Sequence, residues 1–461
     1  MSQIIPRWDQ SLIERYDLSG PRYTSYPTAP QFRENFPARE VEAAINRSND
    51  SGRPLSLYFH IPFCDTICYY CGCNKIITSN KSRARPYIEL LKRELAYRAW
   101  QFKTYRPVRQ LHWGGGTPTF ISDDEMVELM QATREYFSLL EDDSGDYSIE
   151  VHPGRMSAER LGLLRKIGFN RLSMGVQDFD PEVQKAVNRY NSVEEVAAIC
   201  QRARTEGFHS ISMDLIYGLP MQNMDSVKRT LEQVIALEPD RLSLFNYAHM
   251  PHLFKTQRQI ASDTLPAANL KLAMLEYATY RLQEAGYIYI GMDHFARPDD
   301  SLVIAQQQGL MQRNFQGYTT HGNCDLLAFG ISSISAIDNI YMQNPKDMKT
   351  YTQAIETAGE PALKGLTLNE DDLLRQAVIN QLICHFTLDF SVFEQRFNIN
   401  FENYFKYALL ELQAMIDDGL LTLRPNGLDV STTGRLLIRR ICMAFDAYLK
   451  DGGGQRYSRI V

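Results

Sequence analysis

The chain has 461 residues, room for two or three domains of ~100–200 residues each or one large α/β barrel with additions. At 44% hydrophobic and 23% charged residues it has a globular composition, and a net charge of −6 gives no general attraction to nucleic acid or an anionic membrane. No apolar run is long enough to span a bilayer. The opening Met-Ser-Gln-Ile-Ile-Pro-Arg-Trp-Asp is unlike a signal peptide, and Cys200, Cys324, Cys384 and Cys442 read as reduced core thiols. The expectation is a soluble cytoplasmic protein with no nucleic-acid or membrane partner.

Residues 1–50 are mixed in character. Gly20-Pro21-Arg22-Tyr23-Thr24-Ser25-Tyr26-Pro27-Thr28 is too polar and proline-bounded for a core element, and its prolines and aromatics stiffen it beyond an ordinary linker. We expect an extension that lies as a lid over the domain that follows. From residue 55, strand-like runs at 55–61, 108–113, 147–151, 171–176, 210–217 and 241–247 alternate with amphipathic helical stretches. Two of those stretches open with capping boxes, Ser122 with Glu125 and Ser192 with Glu195. Six strand–helix repeats predict a parallel sheet curled into a full or partial barrel over 51–360.

After about 360 the texture changes. Glu370-Asp371-Asp372 opens a helical region, and another amphipathic helix covers 401–418. Pro425-Asn426-Gly427 marks a hairpin between 419–423 and 428–431, and a last helix is predicted over 433–449. Helices with a hairpin wing suggest a winged-helix-like domain over 361–461. Arg435, Arg439 and Arg440 read as its solvated face rather than a DNA surface, given the acidic balance.

Chemistry concentrates where the strands end. Cys64-Asp-Thr-Ile-Cys68-Tyr-Tyr-Cys71-Gly-Cys73 follows the first strand with the spacing C-x3-C-x2-C-x-C. Thiolates so close on one loop converge on a soft centre, an iron–sulfur cluster, zinc or Cu(I). A closed zinc site normally uses two C-x2-C-like pairs far apart, so this run favours a cluster with three protein ligands and one open iron. Gly114-Gly115-Gly116-Thr117 follows the second strand, where glycines let a backbone approach a ligand or simply make a turn. Glu150 sits in an otherwise apolar third strand and must meet a salt-bridge or ligand partner. Gln177 follows the fourth strand, Asp214 lies within the fifth, and Tyr247-Ala248 ends the sixth.

These motifs resemble the radical S-adenosylmethionine enzymes, through the cysteine loop and Gly114-Gly115-Gly116-Thr117-Pro118-Thr119. Within that superfamily the chain is similar, end to end, to the oxygen-independent coproporphyrinogen III oxidase family. The similarity is carried by Pro21-Arg22-Tyr23-Thr24-Ser25-Tyr26-Pro27, Cys71-Gly72-Cys73-Asn74-Lys75, Met174-Gly175-Val176-Gln177-Asp178-Phe179 and Gly291-Met292-Asp293-His294-Phe295-Ala296-Arg297-Pro298. The resemblance implies a partial (β/α)6 barrel and a [4Fe–4S] cluster held by Cys64, Cys68 and Cys71, with Cys73 an extra thiol of open role. It implies two S-adenosylmethionine molecules, the first near Tyr58, Gly115 and Glu150. The second falls near Tyr70, Gly116, Thr117, Gln177, Arg189 and Asp214, while Ala248 and Ile334 match further cofactor contacts made by backbone or apolar surface. His152 stands where the family pattern often has Asp.

The implied substrate is coproporphyrinogen III, decarboxylated oxidatively at two propionates. Its further partners are an electron donor for the cluster and a final electron acceptor, and the chain is expected to be a monomer. No general acid or base is assigned. Carboxylates are best gripped by the planar fork of arginine, so Arg22, Arg297 and Arg313 are candidate substrate contacts, against the reading that each is a paired surface charge. Tyr23, Tyr26, Phe295 and Phe315 are aromatics that cover a flat macrocycle or fill a core. The related haem chaperone is the alternative; it lacks the Cys-x-Cys ending and the Pro-Arg-Tyr-Thr-Ser-Tyr-Pro segment.

Overall fold

A computed structural model describes residues 7–358, 364–449 and 457–459. The chain divides into two units, one of residues 32–266 and 323–367, the other of residues 1–31, 267–322 and 368–461. This grouping differs from the three consecutive segments expected, 1–50, 51–360 and 361–461. The reason is packing. Ile13, Tyr16, Tyr23 and Tyr26 are buried in one apolar core with Leu374, Val378, Leu382, Ile438 and Phe445. Tyr23 Oη donates to Asp446 Oδ2 (3.0 Å), and Ala447 N–H donates to Tyr26 Oη (3.1 Å).

The first unit is built on β1 (Leu55–Ile61), β2 (Pro107–Gly115), β3 (Asp146–Val151), β4 (Arg171–Gln177), β5 (Ser210–Tyr217) and β6 (Arg241–Asn246). Each pairs in parallel with the next. A further parallel strand, β7 (Asp325–Phe329), pairs with β1 and leads into an antiparallel extension, β8 (Ile334–Ile337) and β9 (Ile340–Gln343). The helices between the strands include α1 (Ala84–Gln101), α2 (Asp123–Tyr136), α3 (Ala158–Lys166), α4 (Pro181–Val187), α5 (Val193–Thr205) and α6 (Met224–Ala236). Both expected capping boxes form, at the starts of α2 and α5.

Strand alternation decides which side does what. Leu57, Phe59, Leu111, Trp113, Ile149, Leu172, Met174, Met213, Leu215, Leu242 and Leu244 are all buried. Burying each such side chain contributes roughly 1.5–3 kcal/mol. The intervening positions put Tyr58 beside His112, His112 beside Ser148, Glu150 beside Ser173 and Asp214 beside Ser243 across the ladders. One face of these strands is thus apolar and the other polar. Gly115, Glu150, Ser173, Asp214 and Phe245, from five successive strands, line one cleft, so the sheet is curled around that face.

In the second unit, helix Glu370–His385 leads into a three-stranded sheet, Thr387–Asp389, Gly427–Val430 and Leu421–Arg424, which includes the expected hairpin. The last helix is shorter than 433–449. It is a turn of 3-10 helix, Gly434–Leu437, followed by Ile438–Met443. Arg439 does not belong to a solvated face. It is buried, donates to the carbonyls of Pro21 (2.9 Å) and Gly20, and so fastens the amino-terminal segment. Arg440 is the ordinary case, paired with Glu411 at 2.9 Å.

Candidate active site

The cysteine loop leaves β1 through Phe63–Cys64, which pairs with Ile76–Ile77. Ile76 N–H donates to Pro62 O (2.8 Å) and Thr78 N–H to Cys64 O (2.9 Å), closing the loop at its base. Its middle is braced from α4: Tyr69 N–H donates to Val187 O (3.0 Å) and Asn188 Nδ2 to Ile67 O (2.7 Å). Gln257 Nε2 donates to Tyr70 O (3.0 Å), and Thr256 Oγ1 to Cys71 O (3.0 Å). A ten-residue loop anchored at so many points presents its thiols in a fixed arrangement.

Gly116 has a packing reason to be glycine. It lies against the cysteine loop, its N–H donating to Ile61 O (2.8 Å), and a Cβ there would sit 2.6 Å from Pro62 O. Gly115 adopts φ +116°, open to glycine and strained for other residues. Together they carry the Thr117 hydroxyl to 3.6 Å from Cys64 Sγ.

A cleft of about 340 Å³ lies at these strand ends. Cys64, Cys68 and Cys71 line it together with Tyr70, Gly115, Gly116, Thr117, Glu150, Gln177, Arg189 and Asp214. Tyr58 lies behind the wall, stacked on His112 at 5.7 Å between ring centres. Ala248 and Ile334 do not line the cleft: the carbonyl of Ala248 accepts from Gln257, and Ile334 pairs with Gln343 in the antiparallel extension.

The charges are sorted. Burial alone would raise the Glu150 carboxyl, but His112 Nε2 at 3.2 Å and the Gly115 N–H at 3.2 Å outweigh it and hold Glu150 below the usual carboxylate range. Ser148 Oγ meets His112 Nδ1 at 2.5 Å and fixes the ring. Asp214 goes the other way. Burial, reinforced by the negative charge of Glu150 and only partly offset by Ser243, pushes it up to about 7. Two carboxylates facing one cleft therefore differ in protonation near neutral pH.

Arg189 Nη1 is 3.7 Å from Cys68 Sγ and its Nε donates to Gly175 O (3.0 Å), so a fixed cation stands beside a thiol. Cys71 is lowered by a hydrogen bond from Cys73, with Lys75 adding its charge, while burial raises Cys64 to about 11. Gln177 is held at φ +68°, and its side-chain Oε1 is buried with no hydrogen-bond partner among the described residues. That acceptor is matched only if a ligand donates to it.

The donor set fits the cofactors the sequence implies. Four free thiols, those of Cys64, Cys68, Cys71 and Cys73, share one cleft with carboxylate, amide and guanidinium groups suited to an amino-acid and ribose ligand. Among the described residues, no three Cys, His, Asp or Glu side chains converge closely enough to hold a single metal ion.

Sequence reasoning missed His112 and Ser173. The signal was available for His112: it lies two residues before Gly114 on the polar face of β2, opposite the strand carrying Glu150. The arginine candidates all lie in the second unit. Arg22 pairs with Asp293 at 2.9 Å, Arg313 lies over the Tyr318 ring, and Arg297 is 42% exposed with Asp299 at 3.8 Å. Tyr23, Tyr26 and Phe295 are buried core residues rather than a macrocycle surface.

Comparison with known proteins agrees with this geometry. The family model for the radical SAM superfamily matches residues 58–234, and that for the HemN C-terminal domain matches residues 368–437. An oxygen-independent coproporphyrinogen III oxidase of Pseudomonas aeruginosa is 52% identical over 99% of each chain, and that of Escherichia coli 47% over 98% of each. The solved structure of coproporphyrinogen III oxidase from Escherichia coli, described as a radical SAM enzyme, superposes with a TM-score of 0.92, covering 97% of this chain and 100% of that one. With the cysteine cleft at the strand ends and full-length similarity of this degree, the chain belongs to the oxygen-independent coproporphyrinogen III oxidase family of radical SAM enzymes.

Proposed function

We propose that the chain converts coproporphyrinogen III to protoporphyrinogen IX without oxygen, a step of porphyrin and haem biosynthesis. The observation that carries this reading is one cleft in which the four thiols of one loop meet the ends of five strands, in a chain similar to the oxidases over its whole length. When bound, a [4Fe–4S] cluster and S-adenosylmethionine supply one-electron reduction and a 5′-deoxyadenosyl radical. Each reacting propionate gives up CO2, one hydrogen atom and one electron in becoming a vinyl group.

In this reading Cys64, Cys68 and Cys71 hold the cluster, and Cys73 supports Cys71 through its hydrogen bond without being a ligand. Tyr58, Gly115 and Glu150 serve a first S-adenosylmethionine. The ionised Glu150, braced by His112, accepts from its hydroxyl or amino groups. Tyr70, Gly116, Thr117, Gln177, Arg189 and Asp214 serve a second, with Ala248 and Ile334 as further candidate cofactor contacts. There the unmatched Gln177 Oε1 gains a donor and Asp214 gains a partner that favours its ionised form.

Arg22 and Arg313, with Arg297 as a third candidate, serve the substrate carboxylates. The cluster needs an electron donor, and the electron released with each CO2 needs a final acceptor. The chain is proposed to act as a cytoplasmic monomer with no nucleic-acid or membrane partner; no helix among the described residues is long and apolar enough to cross a membrane.

The relatives described above bear the oxidase name, which supports the enzyme over the haem-chaperone alternative. Anaerobic reconstitution followed by incubation with coproporphyrinogen III, S-adenosylmethionine and a reductant tests this reading. Protoporphyrinogen IX is expected. Stoichiometric haem binding with no product would contradict it.

A further inference from the structure

The turn Gly291-Met292-Asp293-His294 in the second unit is surrounded by arginines. Arg22 is paired with Asp293 at 2.9 Å. Arg439 is 4% exposed, and burial, with the nearby charges of Arg22 and Arg313, pushes its guanidinium down to about 10. Arg313 lies over the Tyr318 ring at 4.7 Å and Arg435 over the Phe386 ring at 4.5 Å. Those two rings meet at Gly291, where a Cβ would come within 2.7 Å of Tyr318 Oη and 3.0 Å of Phe386 Cζ. The stacked guanidiniums therefore belong to one cluster.

The stacking is what makes the cluster informative. A guanidinium lying on a ring keeps its N–H edge in the plane, free for a carboxylate. Nε and Nη1 of Arg313 and Nε of Arg435 are buried and have no hydrogen-bond partner among the described residues. Buried charged donors left unmatched are strongly unfavourable, so their retention points to an anionic group that arrives from outside. Asp293 does not fill that role, being already held by Arg22.

We infer that Arg435, read from sequence as a solvated charge, joins Arg313 in a carboxylate-binding site that holds the propionates of coproporphyrinogen III that survive the reaction. This rests on the oxidase reading. A guanidinium paired in plane with a carboxylate stabilises the anion and so opposes its loss as CO2. The cluster therefore suits the propionates retained in the product, and it binds substrate and product through the same groups.

The test is equilibrium dialysis of the reconstituted enzyme, without reductant, against coproporphyrin III and protoporphyrin IX as unreactive probes. Arg435→Gln and Arg313→Gln should each weaken both probes tenfold or more. Arg435→Lys should recover part of the loss, with cluster absorption and S-adenosylmethionine binding unchanged throughout. Affinities within twofold of the unaltered enzyme, or a loss confined to coproporphyrin III, would overturn the assignment. Should the variants not fold, protoporphyrin IX dimethyl ester is compared with the free acid on the unaltered enzyme. Weaker ester binding supports the site, and equal affinity refutes it. An unaltered enzyme that makes protoporphyrinogen while the Gln variants bind both probes normally sinks this inference alone. One that binds neither probe and makes no product sinks the oxidase reading with it.

Discussion

Replacing Asp214 by Asn isolates the electrostatic cost built into the cleft. Asp214 is half-buried beside Glu150, Ser243 and Arg189, and its carboxyl is pushed from the ordinary 3.8 to about 7. The folded protein thus holds a proton that the unfolded chain has already released. Between those two values the unfolded state binds fewer protons, so stability falls as pH rises and the full deficit is present above about 7. A gap of about three pH units corresponds to roughly 4 kcal/mol at 1.36 kcal/mol per unit, an upper figure for ligand-free protein. Asn keeps a hydrogen-bonding side chain for Ser243 but cannot ionise. The S-adenosylmethionine-free Asp214→Asn protein should therefore be more stable than the unaltered one at pH 8, by on the order of 2–4 kcal/mol, and nearly equal to it at pH 4. Other raised carboxyls, such as Asp178 and Asp446, are common to both proteins and cancel in the comparison. Thermal unfolding across pH 4–8 reads this directly, and S-adenosylmethionine stoichiometry on the same samples should fall from two to one. Parallel pH–stability curves for the two proteins would refute the reasoning.

Cys64→Ala, Cys68→Ala and Cys71→Ala should each abolish the [4Fe–4S] absorption, whereas Cys73→Ala should retain it; iron and sulfide analysis with electron paramagnetic resonance decides. Gly116→Ala sets a methyl 2.6 Å from Pro62 O and 2.8 Å from Phe63 O, both backbone atoms that cannot rotate away. It should destabilise the protein by about 1–3 kcal/mol and lower cluster occupancy, seen by thermal unfolding and iron content. Arg22→Ala should keep the cluster and reductive cleavage of S-adenosylmethionine while losing vinyl formation by about 10²-fold, because a displaced substrate forfeits its alignment. Parallel assays of 5′-deoxyadenosine and protoporphyrinogen measure the split, and an unchanged ratio would leave Arg22 a partner of Asp293 only.

Much of the site was legible because its signals are local. C-x3-C-x2-C-x-C on ten residues, a glycine triplet after a strand and a lone glutamate in an apolar strand each announce themselves over short windows. The six strand runs and two capping boxes were equally readable, since periodicity and side-chain caps act within a turn or two. What escaped depends on contacts between distant parts of the chain. Nothing near Arg439 says that its guanidinium closes on the carbonyls of Gly20 and Pro21, more than four hundred residues earlier. Sequence left Tyr23 and Tyr26 open between covering a macrocycle and filling a core, and the opposite end of the chain decides it by burying them through Asp446 and Ala447. Part of the polar face of β1–β6 was hidden by hydrophobic averaging over short strands: His112 and Ser173 each sit between large apolar neighbours that dominate the run.

Radical chemistry at a propionate is the central claim, and isotope transfer tests it most directly. Coproporphyrinogen III deuterated at the propionate β-carbons, incubated anaerobically with the reconstituted enzyme, reductant and S-adenosylmethionine, should yield 5′-deoxyadenosine carrying one deuterium for each vinyl group formed. Protoporphyrinogen formed alongside unlabelled 5′-deoxyadenosine would contradict the account.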